Sequence, residues 1–278
     1  MYLGSMYRCF LTSLAMMLAP VSLHAGVTDS VRHETFAIRS MVLGEVRTIN
    51  VYTPPGYASD STDFPVLYML DGGMTEDFPH IANTIDSLIQ LKLIPPVLVV
   101  GIENTERRRD LTGPTTVAKD SAIAPRVGGS AAFRGFIRDE LMNDVRRRYR
   151  TTSETAIVGE SLAGLFVVET LLLDPFLFRG YIALSPSVWW NGGEAVRTAH
   201  SRIGGLTGAK RVLYLAAANE SQIAEGTAEL AAILKSQSPS GVLLFYAPRP
   251  DLAHDTIFRA LAPSAFTDVL GESVFNQD

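Results

Sequence analysis

The stretch Thr155-Ala156-Ile157-Val158-Gly159-Glu160-Ser161-Leu162-Ala163-Gly164-Leu165 decides how the rest of the chain is read. Ala156 to Val158 is a short apolar run, the pattern of a strand buried on both faces. Gly164 to Leu173 has helical apolar spacing and stops before Asp174-Pro175, where the residue preceding proline disfavours helix. Between the two, the backbone must turn sharply with Ser161 at the apex. Strand, tight turn with serine, then helix is the setting of a nucleophile elbow, in which crowded backbone demands small residues two positions either side of the serine. Gly159 and Ala163 meet that demand. The same residues also suit an ordinary strand-to-helix turn, so the remaining chain has to decide between the two.

Working outward, the pattern alternates strand and helix. Residues 31–40 and 45–53 form an expected hairpin around Leu43-Gly44, ended by Pro54-Pro55-Gly56. Strands are expected over 64–70, 96–102, 180–185, 211–217 and 242–247. Helices are expected over 77–93, 131–149, 194–203 and 223–236, with a last one after His254. Residues 105–130 read as one long loop. This alternation predicts an α/β fold, a mostly parallel central sheet with helices on both faces and antiparallel strands at one edge. Only 19 residues separate Trp190 from Lys210, enough for a helix but not for a large lid. Ligands of such sheets gather beyond the carboxyl ends of the strands. Asp71-Gly72-Gly73, Glu103, Ser161, Ser185, Trp189, Asn219-Glu220 and His254 all follow strands, so they should meet along one edge.

The chain has 278 residues, 47% of them hydrophobic and 19% charged, an ordinary globular composition. Residues 1–25 stand apart: a single Arg8, an apolar run from Phe10 to Pro20, and a small residue, Ala25, at the end. This is the pattern of a secretory signal peptide, with 26–278 as one mature domain. Its apolar core is short for a membrane span. Cleavage would remove Cys9, the only cysteine. An exported, cysteine-free domain needs no disulfides and suits a bacterial periplasm or secretion. The mature chain would carry 23 basic against 29 acidic residues, a net charge of −6. That excess argues against nucleic acid, or stable membrane association, as the main partnership.

A serine nucleophile needs a base. Of five histidines, His24 leaves with the signal, His33 lies in the first strand and His200 ends a helix. His80 and His254 remain. His254 completes the chain order serine, acid, histidine of the α/β-hydrolases, whereas His80 precedes the serine. Glu220, just past a strand, is the first choice for the acid that orients the imidazole, with Glu225, Asp251 or a plain Ser–His pair as alternatives. The N–H groups of Leu162 and of one residue in Gly72-Gly73-Met74, Gly73 first, are the expected oxyanion donors. Arg109, Trp189 and Trp190 are candidate substrate contacts. The histidines are isolated and no phosphate-cradling glycine loop occurs, so no metal or cofactor is expected.

Five segments carry a resemblance in order along the chain: Leu67-Tyr68-Met69-Leu70-Asp71-Gly72, Val100-Gly101-Ile102-Glu103-Asn104, Arg109-Asp110-Leu111-Thr112, Gly159 to Leu165, and Ser185-Pro186-Ser187-Val188-Trp189-Trp190. Over roughly residues 30–260 the chain resembles the “Putative esterase” family, which includes esterase D, enterochelin (siderophore) esterases and mycolyltransferases. It is most similar to the siderophore-esterase branch. The resemblance implies an α/β-hydrolase fold, Ser161 as nucleophile and His254 as base, acting on a small-molecule ester. It departs at Glu160, where many members have histidine, and at Ala163, where glycine is usual. Hydrolysis of short or aromatic acyl esters, siderophore-type among them, is the expected chemistry; acyl transfer, or ligand binding without catalysis, are the alternatives.

Overall fold

The computed structural model describes residues 32–59, 61–203, 206, 210–237 and 241–271; the expected signal peptide lies outside the described residues. Eight strands are described: β1 (His33–Ser40), β2 (Glu45–Tyr52), β3 (Phe64–Met69), β4 (Leu98–Ile102), β5 (Thr151–Glu160), β6 (Gly180–Leu184), β7 (Arg211–Ala217) and β8 (Val242–Pro248). They form one sheet in the order β1-β2-β4-β3-β5-β6-β7-β8. The hairpin β1–β2 is antiparallel and joins β4 antiparallel; from β4 through β8 every pairing is parallel. The sheet is therefore of the expected kind, with β5 near its middle.

Helix α1 (Phe78–Gln90) buries Phe78, Ile81, Ala82, Ile85 and Leu88, the apolar stripe of a helix lying on a sheet. It shares one face of the sheet with the C-terminal helix α9 (His254–Leu270), whose Ile257, Leu261, Ala265 and Phe266 join the same core. The opposite face is covered by α6 (Leu162–Leu173), α7 (Trp190–Ile203) and α8 (Ser221–Gln237). Helix α6 is buried nearly all round. That is why its sequence shows no polar face: it sits behind β5 with neighbours on every side.

Three departures from the sequence reading have local causes. The 105–130 connection is not a plain loop, because it folds into the single-turn helices α2 (Arg107–Asp110) and α3 (Ala118–Ser121). The helix expected over 131–149 is interrupted: α4 (Ser130–Gly135) and α5 (Met142–Arg148) flank a π-helical turn, Phe136–Leu141. The wider turn lets Phe136, Ile137 and Leu141 all bury. Helix α7 begins earlier than expected, at Trp190, and kinks where Asn191, Gly192 and Gly193 take positive φ. It occupies the short connection in which a lid was not expected. Among the described residues, no helix is long and apolar enough to cross a membrane.

Candidate active site

β5 ends at Glu160 and α6 begins at Leu162, leaving Ser161 alone at the turn with φ 60° and ψ −121°. A side chain in that region is strained by about 1–3 kcal/mol, and such strain persists only where the surroundings enforce it. The surroundings here are hydrogen bonds: Ser161 N–H donates to Leu184 O (3.0 Å), and Ser187 N–H donates to Ser161 O (2.9 Å). The need for small residues is visible in the packing. A Cβ on Gly159 would lie 2.6 Å from the Ala163 backbone, closer than real Cβ contacts allow.

The candidate partners follow β7 and β8, two and three strands along the sheet from β5. Glu220 stands between β7 and α8, and His254 is the first residue of α9. The loop after β8 folds back on the end of β7, with Arg249 N–H on Ala217 O and Asn219 N–H on Leu252 O. This brings His254 Nδ1 to 2.7 Å from Glu220 Oε1, although the ring N–H is not aligned as a hydrogen bond. The competing acids are elsewhere: Asp251 is exposed and paired to Arg249 at 2.6 Å, and Glu225 is exposed on α8. Ser161 Oγ rests against Ser187 Oγ at 3.4 Å. Catalytic hydrogen bonds often tighten only around substrate. His80 sits on α1 beside Asp77 and Arg259, where burial first and Arg259 second lower its pKa.

Leu162 N–H, first in α6, is one of the orphan donors that every helix start presents. Gly72 N–H is occupied by Ile102 O at 3.0 Å, and Gly73 N–H by Glu76 Oε2 at 2.6 Å. Two of the three expected substrate contacts are committed elsewhere. Trp190 is 2% exposed and donates its Nε1–H to Gly113 O, so its ring is core; Trp189 alone keeps a partly open face. Arg109 is paired to Glu45 and Asp110 and holds the 105–110 segment against β2. Its neighbour Arg107 reaches the site instead, bidentate on Asp71 (2.6 and 2.8 Å) and 3.5 Å from Glu160 O. Arg107 also lines a cavity of about 560 Å³ with Arg108, Arg126 and Glu106, the last two ion-paired to each other.

A family model described as “Putative esterase” matches residues 40–237, well over half of the chain. The chain belongs to the Putative esterase family. Its relatives include the ferri-bacillibactin esterase BesA of Bacillus subtilis, 32% identical over 168 residues, which are 53% of this chain and 56% of BesA. A siderophore triacetylfusarinine C esterase of Aspergillus fumigatus is 40% identical over 90 residues, 31% of this chain and 29% of that one. The chain thus spans less than two thirds of the curated relatives it matches first. Among solved structures, an IroE-like serine hydrolase from Shewanella oneidensis superposes with a TM-score of 0.80 at 26% identity, covering 86% of this chain and 80% of that one. The α/β fold is shared with this hydrolase.

Residues of this Putative esterase domain that sequence reasoning passed over lie around Glu160. Burial first, then the carboxylates of Asp77 and Asp71, push its carboxyl up to about 8, with Arg107 opposing and Glu220 adding to the rise. A carboxyl whose folded pKa lies above the ordinary 4.5 holds its proton more tightly when folded. The penalty is therefore absent below pH 4.5, grows as pH rises and is complete above about 8. Glu169, pushed up to about 7 mainly by burial, acts with the same sign. Thermal unfolding followed from pH 5.5 to 8.5 should show Tm falling with pH, and Glu160→Gln should flatten part of the fall. Identical profiles for the two proteins would refute this.

Proposed function

We propose that this chain is a serine hydrolase that cleaves carboxylic esters of short or aromatic acyl groups, siderophore-type esters among them, through an acyl-enzyme on Ser161. The observation that carries the reading is Ser161 at positive φ between β5 and α6, with His254 on Glu220 at 2.7 Å beyond the ends of β8 and β7. In this mechanism His254 Nε2 takes the Ser161 proton as Oγ attacks the ester carbonyl. Glu220 holds the opposite ring nitrogen and stabilises the imidazolium. The tetrahedral oxygen is held by Leu162 N–H and Gly73 N–H. His254 then gives its proton to the leaving alcohol, and water, activated by the same base, releases the acid and restores Ser161. Histidine, serine and carboxylate suffice, so no metal or cofactor enters the proposal.

Support for the substrate class comes from the site and the relatives together. Helix α7 fills the connection in which many lipases carry a cap, and Trp189 offers an aromatic wall. The arginine-lined cavity beside Arg107 suits a substrate with anionic groups. Relatives bear the names of siderophore esterases. Residues 1–25 support export, and with it a periplasmic or secreted site of action on small-molecule esters, without stable membrane association after cleavage. The test is a panel of esters with purified protein. Short or aromatic acyl esters should exceed long-chain ones at least tenfold in kcat/KM, about 1.4 kcal/mol of transition-state binding. A preference for long chains would refute the open site.

A further inference from the structure

β3 runs beside β5 with Met69 opposite Val158, and Leu70 N–H continues the ladder onto Val158 O (3.2 Å). The next residues, Asp71 to Gly73, therefore leave β3 at the level where Glu160 to Leu162 leave β5. A Cβ on Gly72 would lie 2.4 Å from Gly101 Cα, so β4 presses this loop into place. Gly73 N–H, the donor expected to face a tetrahedral oxygen, donates to Glu76 Oε2 at 2.6 Å. The other oxygen of that carboxylate, Oε1, accepts from Asn104 Nδ2 at 2.7 Å, and the same Nδ2 lies 2.6 Å from Asp71 Oδ1. Glu76 is thus anchored through one oxygen while the second sits on the donor. A carboxylate oxygen carries the charge and the hydrogen-bond demand of the oxygen that forms when an ester is attacked, and charge-assisted contacts of this kind are strong.

We propose that Glu76 is a resident plug of the oxyanion site, holding the Gly73 N–H in the resting protein and surrendering it when an ester enters. The proposal rests on the reading of Ser161 as nucleophile and Gly73 as oxyanion donor. A substrate carbonyl, neutral until attacked, competes poorly with a carboxylate for that N–H, so the plug raises KM. It also keeps the acid product, itself a carboxylate, from settling on the donor. Removing the plug should therefore help the ester and expose the protein to inhibition by free carboxylates. A glutamate that merely caps the turn, as the third residue of a helix start often does, predicts neither.

The test compares the wild type with Glu76→Ala and the near-isosteric Glu76→Gln, using p-nitrophenyl acetate as ester and benzoate as inhibitor. Glu76→Ala should raise kcat/KM about tenfold through KM and lower the benzoate Ki at least tenfold, a part of the roughly 10²–10³-fold that one oxyanion donor is worth. Glu76→Gln, which keeps a neutral acceptor on Gly73, should fall between. Loss of activity in both variants with an unchanged benzoate Ki would overturn the plug. Labelling all three with a serine-directed fluorophosphonate separates the two levels. Label at Ser161 with unchanged Ki overturns the plug alone, whereas no label in any of them overturns the reading of the site and the plug with it.

Discussion

Ser161→Ala should abolish ester hydrolysis, with kcat falling on the order of 10⁶-fold, the scale of a serine or histidine knockout in a triad that acts as one unit. The structural grounds are the strained turn that raises Ser161 clear of the β5 end and the 2.7 Å contact that ties His254 to Glu220. His254→Ala should cost nearly as much, and the double variant little more than either single one, because the base is useless without its nucleophile. Glu220→Gln should lose less, since an imidazole without its carboxylate still functions in part. Steady-state rates on one short-chain ester rank all four. Additive losses would show that the two residues act separately, and a small loss for His254→Ala with a large one for His80→Ala would reassign the base.

The largest expected effect on stability is at Asp110, in the buried network around Arg47. Arg47 on β2 is fully buried, and its Nη1 donates to Asp110 Oδ2 at 2.5 Å, with Thr105 Oγ1 at 2.7 Å and Glu45 Oε1 at 2.9 Å. Its guanidinium also lies 5.0 Å from the Phe133 ring centroid. Asp110 itself is 1% exposed and takes a second guanidinium from Arg109. Removing one partner of such a network leaves a buried charge uncompensated, which costs about 3–5 kcal/mol. Glu45 remains beside Arg47, so Asp110→Ala should fall near 3 kcal/mol, a Tm loss of roughly 6–12 °C for a domain of this size. Chemical denaturation and calorimetry check it. A change within about 0.5 kcal/mol would mean that Glu45 and the Glu103 carbonyl suffice to hold Arg47. The same network holds the segment carrying Asn104 and Arg107 to the sheet, so lost rigidity there should also raise KM.

The fold was legible because its signals are local. Apolar runs such as Leu98 to Ile102 and the stripe Phe78, Ile81, Ile85, Leu88 mark strand and helix without reference to the rest of the chain. The candidate site was legible where topology alone orders it: Ser161, Glu220 and His254 follow β5, β7 and β8, and a parallel sheet delivers strand ends to one edge. What stayed hidden depends on side-chain direction. Three consecutive arginines gave no hint which would face the elbow; a single helical turn points Arg107 at Asp71 and Arg109 at Glu45. Trp189 and Trp190 look equivalent, yet adjacent positions face opposite ways, and Trp190 enters the core. Ser187 meets Ser161 only through a tertiary contact, and Glu76 reaches Gly73 only because the turn between them folds its side chain back. The π-helical turn at Phe136 to Leu141 has no periodicity of its own to betray it.

The claim on which the rest depends is that Ser161 is an activated nucleophile. Incubating the purified protein with a serine-directed fluorophosphonate and mapping the adduct by peptide mass spectrometry tests it directly. The account predicts one equivalent of label, on the peptide that carries Ser161, absent in Ser161→Ala and formed far more slowly in His254→Ala. Label on a different serine, or equal labelling of Ser161→Ala and the wild type, would contradict it.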